Sequence, residues 1–211
     1  STGGLRVLGG NLSTENSAVL KLAGVEGGLE DNVFVGKARV FDGEAALLDA
    51  LSNRPEIFND RDMVIVRYEG PSGAPGMPEM LDSTSRITTL CREQGMVVGL
   101  MTDARFSGGS VGLVIGHVGP EAALGGEIGL IQDGDEIIVD LNTNELNCSE
   151  LSDDAIVNVR RLSWEETVRS NGGIHPSVGL ANTRLLNRMR FSAVSAKLGG
   201  GMHPDRKIWV S

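Results

Sequence analysis

Short apolar runs separated by turn residues occupy most of the first 150 residues, and they restrict the chain to a strand-rich fold. Few helical patterns intervene and the connections vary in length, unlike the regular strand–helix alternation of a doubly wound sheet. The order of elements therefore predicts a mixed α/β, β-rich domain, a barrel-like sheet with helices packed outside. The predicted strands are residues 5–8, 18–22, 33–35, 38–41, 63–68, 96–100, 128–132, 136–141 and 145–148.

Helical periodicity with capping residues occurs at four places. Asp42 can cap a helix over 43–51, and the pair Asp82-Ser83 can cap a helix that runs to about residue 94. A third helix is predicted to start at Ser152, with two aspartates in its first turn. A fourth is predicted over 183–198, with an apolar stripe of Leu185, Leu186, Met189, Val194 and Leu198.

The length and charge of the chain favour a single domain that binds neither nucleic acid nor membrane. Its 211 residues fit one domain, with residues 1–4 as a linker. The net charge of −9 and the absence of a basic stripe predict no nucleic-acid partner. No apolar run is long enough to span a bilayer and no signal peptide opens the chain, so we expect no membrane partner and a cytoplasmic location. Cys91 and Cys148 are expected to be reduced thiols.

Polar residues on a glycine-rich turn follow the apolar run 96–100. Asp103, Arg105 and Ser107 lie within five residues of one another and precede Gly108 and Gly109. A turn after a buried strand presents reactive groups from a rigid base, and glycines let the backbone approach a ligand closely. A carboxylate, a guanidinium and a hydroxyl so placed can hold a small anion and move a proton. The alternative is a polar turn with an internal Asp103–Arg105 pair.

A second loop, residues 69–78, follows the clearest strand. Its three prolines and three glycines exclude regular structure. Glu79 comes next, and a carboxylate held by such a loop is the hard oxygen ligand that Mg²⁺ prefers. The alternative is a glutamate that caps the following helix through the helix dipole.

Two other kinds of site, a serine-hydrolase nucleophile and a histidine metal site, are not supported by the sequence. Residues 108–112, GGSVG, match the nucleophile elbow of serine hydrolases. That motif needs a helix after the serine, whereas a β-branched, glycine-interrupted run follows here. The three histidines, His117, His175 and His203, lack metal-ligand spacing, and a packed or capping histidine is the preferred interpretation of His117.

Two long motifs resemble signatures of the dihydroxy-acid/6-phosphogluconate dehydratase family. They are YEGPSGAPGMPEM at 68–80, and TDARFSGG at 102–109 followed by IGHVGPEAA at 115–123 and Gly125-Gly126. The motifs occur in the family's order. Weaker similarities lie at 10–12, 37–41 and 133–135. The resemblance covers about residues 4–141, and the C-terminal third matches no motif of the family.

The resemblance implies a fold and a chemistry. The family's C-terminal domain is a swivelling β/β/α barrel, and its larger N-terminal domain supplies the cysteines of an iron–sulfur cluster and most ligands of a Mg²⁺. The family removes water from a 2,3-dihydroxy acid, through an enol, to give a 2-keto acid. By resemblance Ser107 is the base, as an alkoxide, and Glu79 is a Mg²⁺ ligand. Our own assignment, which the resemblance does not supply, is that Arg105 and Gly108 bind substrate beside Ser107.

Several alternatives stay open at this stage. Motif details favour a branched dihydroxy acid or a sugar acid, whereas the opening LRVLGGNL favours 6-phosphogluconate. A non-catalytic binding or regulatory barrel is the alternative of a different class. We expect an N-terminal dehydratase domain as partner, a homo-oligomer at full length, and a segment 164–211 that packs on the absent domain.

Overall fold

The computed structural model describes residues 4–23, 28–106, 112–179 and 183–202. Its strands are β1 (Leu5–Leu8), β2 (Ala18–Ala23), β3 (Val33–Asp42), β4 (Asp62–Arg67), β5 (Gly99–Thr102), β6 (Gly112–Gly116), β7 (Glu136–Asp140) and β8 (Glu145–Cys148). Its α-helices in these ranges are α1 (Glu44–Asn53), α2 (Leu81–Gln94), α3 (Asp154–Ser170) and α4 (Arg184–Ser192). Short 3₁₀ helices connect several of them.

All eight strands belong to one sheet, in the order β1-β2-β6-β5-β4-β3-β7-β8. The four central strands are parallel, and the outer pairs are antiparallel. The two ends of the sheet approach each other, since Gly9 and Glu145 form an isolated bridge and the Leu146 amide donates to the Gly9 carbonyl at 2.8 Å. The predicted β-rich, barrel-like α/β domain is therefore confirmed.

Apolar packing covers both faces of the central strands. On β4, Met63 and Ile65 belong to the core inside the curved sheet, whereas Val64 and Val66 belong to a second core under α1 and α2. All four side chains are fully buried. A strand covered on both faces is apolar throughout, which explains why residues 63–66 gave the clearest strand signal.

Four of the predicted strands differ from the structure. The runs 33–35 and 38–41 form one continuous strand, β3. Residues 128–132 were expected to pair with β7, but Glu127–Leu130 is a 3₁₀ helix, and β7 pairs with β3 and β8. The side chain of Arg67 donates to the carbonyls of Gly129 and Ile131, both at 2.9 Å. These carbonyls therefore have hydrogen-bond donors without a neighbouring strand. The strand expected at 96–100 begins instead at Gly99, because the backbone of Val97 bonds to the Arg61 amide and to the Asp60 carboxylate and not to a neighbouring strand.

The helix ends also differ from expectation. Neither Asp42 nor Asp82 caps its helix through the side chain; the carboxylate of Glu69 accepts the Glu44 amide at 2.8 Å instead. The last helix ends at Ser192 rather than near residue 198. Its expected apolar stripe is wrong, since Leu185 and Leu198 are 67% and 71% exposed.

Among the described residues, none of the helices combines the length and the apolar character that a membrane span needs.

Candidate functional site

The two signature loops leave the same edge of the sheet. β4 and β5 are parallel neighbours, with Val66 opposite Thr102, so the chain segments that follow them start side by side. In open parallel sheets the carboxyl ends of strands are where ligands bind, because loops converge there. The loop 68–80, which carries Glu79 and is called the Glu79 loop, follows β4. The turn that begins at Asp103 and carries Arg105, called the Arg105 turn, follows β5.

Two contacts join these loops farther from the sheet. Met80 and Phe106 form a parallel bridge, and the Arg105 Nε donates to the Met77 carbonyl at 3.1 Å. The segments that carry Glu79 and Arg105 are thus adjacent. Both residues are exposed, and the Glu79 carboxylate has no hydrogen-bond or ion-pair partner among the described residues. Ser107 and Gly108 lie outside the part of the chain that the structure describes.

Asp103 does not form the internal pair with Arg105 that the alternative interpretation of this turn predicted. Its side chain is fully buried, and its carboxylate accepts the backbone amides of Tyr68 at 3.0 Å, Glu69 at 3.1 Å and Ala122 at 3.0 Å. Burial, with a smaller effect of the Glu121 charge, raises the pKa of Asp103 to about 7, against the opposing effect of the three amides. Asp103 therefore fixes the start of the Glu79 loop and is not a counter-ion for Arg105.

Glu121, which follows β6, is a second buried carboxylate that holds the Glu79 loop, and it is not among the residues predicted from the sequence. Its oxygens accept the amides of Ser72 at 3.0 and 2.9 Å and of Gly73 at 3.0 Å. Gly70 has to lack a side chain, because a Cβ there would lie 2.5 Å from Glu121 Oε2. The motif GPEA contained the residue, but nothing in that local pattern indicates which distant amides it reaches.

His117 lies where two clefts meet. One cleft, of about 140 Å³, is lined by Lys21, Arg105, Phe106, Val114 and His117, among others. The other, of about 400 Å³, is lined by Val7, Met77, His117 and Lys197, among others. Cations and apolar side chains together suit a small organic anion.

The imidazole of His117 is half-buried. Its Nδ1 is buried without a hydrogen-bond partner in the described ranges, and the residue has a φ of 57°. Burial, and then the Arg105 charge, lower the pKa of His117, so the ring is neutral at pH 7. The structure thus places this histidine at the cleft and not wholly in the core.

A group of possible metal ligands outside these loops, Asp135, Cys148 and Glu150, does not fit a metal ion. The Arg160 guanidinium already binds both Asp135 oxygens, at 2.5 and 2.9 Å. Burial raises the pKa of Cys148 to about 12, so its thiol keeps its proton and contacts Glu150 Oε2 at 3.5 Å. The cluster is a neutralised structural network.

Comparison with known proteins agrees with the two motifs. A family model described as "Dihydroxy-acid/6-phosphogluconate dehydratase C-terminal" matches residues 1–200. The chain is 45% identical to a mitochondrial dihydroxy-acid dehydratase of Saccharomyces cerevisiae over 164 residues, 78% of this chain and 26% of the relative. It is 40% identical over 209 residues, 98% of this chain, to a dihydroxy-acid dehydratase of Parvibaculum lavamentivorans, where the match spans 32% of the relative.

A third relative is similar over a comparable part of the chain. A dihydroxy-acid dehydratase of Nocardioides is 46% identical over 166 residues, 78% of this chain and 28% of its own length. The chain thus spans about a quarter to a third of the length of these curated relatives. Since the family model covers nearly all of it, the chain belongs to the dihydroxy-acid/6-phosphogluconate dehydratase family, as that family's C-terminal domain.

Proposed function

We propose that this chain is the C-terminal part of a hydro-lyase that removes water from a 2,3-dihydroxy acid and releases a 2-keto acid. The observation that carries the proposal is the adjacency of the two signature loops through the Met80–Phe106 bridge and the Arg105–Met77 bond. Relatives named dihydroxy-acid dehydratase support a dihydroxy acid, branched or sugar-derived, over 6-phosphogluconate.

The reaction needs a base and an anion site, and the Arg105 turn offers both. Ser107, as an alkoxide, accepts the proton from C2, the electron pair of that bond forms the C2–C3 double bond, and the 3-hydroxyl leaves with a proton as water. The enol then takes a proton at C3 and loses the proton of its C2 hydroxyl, which gives the keto acid. A serine is a weak base unless positive charge stabilises its anion. Arg105, two residues before Ser107, supplies such charge and binds the substrate carboxylate, which approaches the backbone at Gly108.

Glu79 fits the role of one Mg²⁺ ligand. Its carboxylate is exposed, unpartnered among the described residues, and held by a proline-rich loop, and Mg²⁺ takes a few carboxylate oxygens while keeping waters. When bound, Mg²⁺ supplies Lewis-acid stabilisation of oxygen anions. We propose that the remaining ligands come from an N-terminal dehydratase domain.

The cysteines of this chain do not fit an iron–sulfur cluster. Cluster ligands are thiolates, whereas burial raises the pKa of both Cys148 and Cys91, and the two residues lie on β8 and α2. We therefore assign any cluster to the N-terminal domain and derive no step from it.

The proposal extends to the assembled enzyme. We propose a homo-oligomer in which part of segment 164–211 contacts the N-terminal domain. We also propose a cytoplasmic location, although one relative is named mitochondrial.

The test is a pair of serine variants in the full-length enzyme. Ser107→Ala should lower kcat by about 10²–10⁴-fold, the usual contribution of a general base, with KM little changed. Ser110→Ala is the matched control and should keep most of the activity, because we assign Ser110 to structure. The measurements are kcat and KM on a dihydroxy acid, with circular dichroism to check folding.

Other outcomes of this experiment would contradict the proposed base or support an alternative function. Full activity in Ser107→Ala would refute the proposed base, and a larger loss in Ser110→Ala is what a serine hydrolase predicts. A full-length wild-type protein that binds but never turns over a dihydroxy acid would support the alternative of a non-catalytic barrel.

A further inference from the structure

We propose that Arg190 is a positioning residue for the Glu79 loop, and that it acts with Glu121 as a clamp on the two peptide units at Ser72 and Gly73. The Arg190 Nε donates to the Ser72 carbonyl at 3.0 Å, and its Nη2 donates to the Gly73 carbonyl at 3.4 Å. Glu121 accepts the amide hydrogens of the same two residues. The Glu121 carboxylate thus binds the two amide donors of this turn, and the Arg190 guanidinium binds its two carbonyl acceptors.

The burial of Arg190 is hard to explain by packing alone. The residue is 8% exposed, and no carboxylate among the described residues pairs with its guanidinium. Burying a charge is costly unless polar groups compensate it, and here backbone carbonyls do so, with Gly179 as a third acceptor. An apolar side chain would fill the space without that cost. A planar guanidinium, however, reaches several carbonyls at once and fixes their relative positions.

The clamp lies six residues before Glu79, and the intervening chain is stiff. Ala74 donates to the Gly70 carbonyl at 2.8 Å, and Met77 donates to the Ala74 carbonyl at 2.9 Å. Pro75 and Pro78 fix their own backbone φ angles. The C-terminal segment touches the loop a second time, since a Cβ at Gly200 would lie 3.1 Å from Met77 Cε. We therefore expect a displacement at residues 72–73 to shift Glu79 as well.

This inference rests on the proposed function, because it requires Glu79 to bind Mg²⁺. The competing explanation is that Arg190 only stabilises the fold. The two differ in what Arg190→Gln and Arg190→Lys change: positioning predicts a local effect on the metal site, whereas a structural role predicts lower stability with unchanged metal affinity.

The experiment uses the full-length enzyme and two readouts besides activity. Mg²⁺ is titrated by calorimetry into the metal-free protein, and hydrogen exchange is followed by mass spectrometry for the peptide covering 68–80. We expect Arg190→Gln to weaken Mg²⁺ binding about tenfold, as removal of groups that orient metal ligands does, and to speed exchange in 68–80 more than in β4. Arg190→Lys should be intermediate.

The matched control is Arg160→Gln, which disrupts a network of similar burial at Asp135 and the Leu130 carbonyl, away from both loops. It should lower Tm without changing Mg²⁺ affinity. Unchanged Mg²⁺ affinity in Arg190→Gln, alongside a loss in Glu79→Gln, would overturn the clamp and leave the proposed function standing. Unchanged affinity in Glu79→Gln itself would overturn the assigned metal ligand and the clamp with it.

Discussion

Removing the Asp103 carboxylate should release the Glu79 loop and destabilise the 211-residue chain. Three backbone amides lose their acceptor in Asp103→Ala, and a buried donor left without a partner costs about 1–3 kcal/mol. The sum is about 3–9 kcal/mol, comparable with the whole stability of a domain, which is about 5–15 kcal/mol. The lower part of that range is expected, because the variant also removes a charge that burial penalises.

Asp103→Asn gives a graded test. Its single oxygen can take the place of Oδ2, which accepts from Tyr68 and Ala122, so that the Glu69 amide loses its acceptor and faces the new NH₂ group, which is itself a donor. The expected cost is about 1–3 kcal/mol. Urea unfolding measures both variants. The control is Asp133→Asn, which also removes a carboxylate that accepts a backbone amide, from Val40 at 2.6 Å, but at the exposed surface. It should cost less than about 1 kcal/mol. An Asp103→Ala protein within 1 kcal/mol of wild type would refute the reasoning.

Two further predictions concern pH and metal. The pKa of Asp103 is about 7 in the fold and 3.8 ordinarily, so the folded state binds more protons between these values, and stability falls as pH rises from about 4 to 7, by up to about 1.4 kcal/mol per pH unit. Urea unfolding at pH 5 and pH 7.5 should show this loss in wild type and not in Asp103→Asn; equal slopes would contradict it. The isolated chain should bind Mg²⁺ with a Kd above about 1 mM, because one carboxylate replaces little of the ion's hydration shell. Calorimetry checks this, and submillimolar binding that disappears in Glu79→Gln would show that the site is complete within this chain.

The parts of the fold that local pattern decides were predictable. Runs such as 63–68 are apolar because both faces of the strand are covered, and the loop 69–78 could not be regular because of its prolines and glycines. Residues 128–132 show the opposite case. An apolar run of five residues fits a strand or a turn equally well, and here the side chain of Arg67, about 60 residues away, stabilises the turn.

Candidate site residues could be predicted only where they lie in exposed loops that contain glycine or proline. Glu79 and Arg105 were singled out because they follow predicted strands on such loops; the structure places these loops side by side, and the roles of both residues stay predictions. Glu121 and Arg190 were missed, since each acts on Ser72 and Gly73 across 49 and 118 residues of chain. Asp103 was noticed, but its partners are amides on another loop and not its neighbour Arg105. Long-range contacts of this kind leave no periodicity or spacing in a single sequence.

The hydrogen bonds of the buried carboxylates Asp103 and Glu121 affect the charge of the cleft that Arg105 lines. The oxygens of Asp103 and Glu121 accept backbone amides, and no carboxylate in the described ranges forms an ion pair with the Arg105 guanidinium. A chain with a net charge of −9 thereby keeps a positive group beside an apolar wall, at the edge of the turn that leads to Ser107. A serine alkoxide and a substrate carboxylate both need uncompensated positive charge nearby, and a carboxylate paired with Arg105 would have cancelled it. The same residues that hold the Glu79 loop in place therefore also preserve the electrostatic condition for the proposed proton transfer.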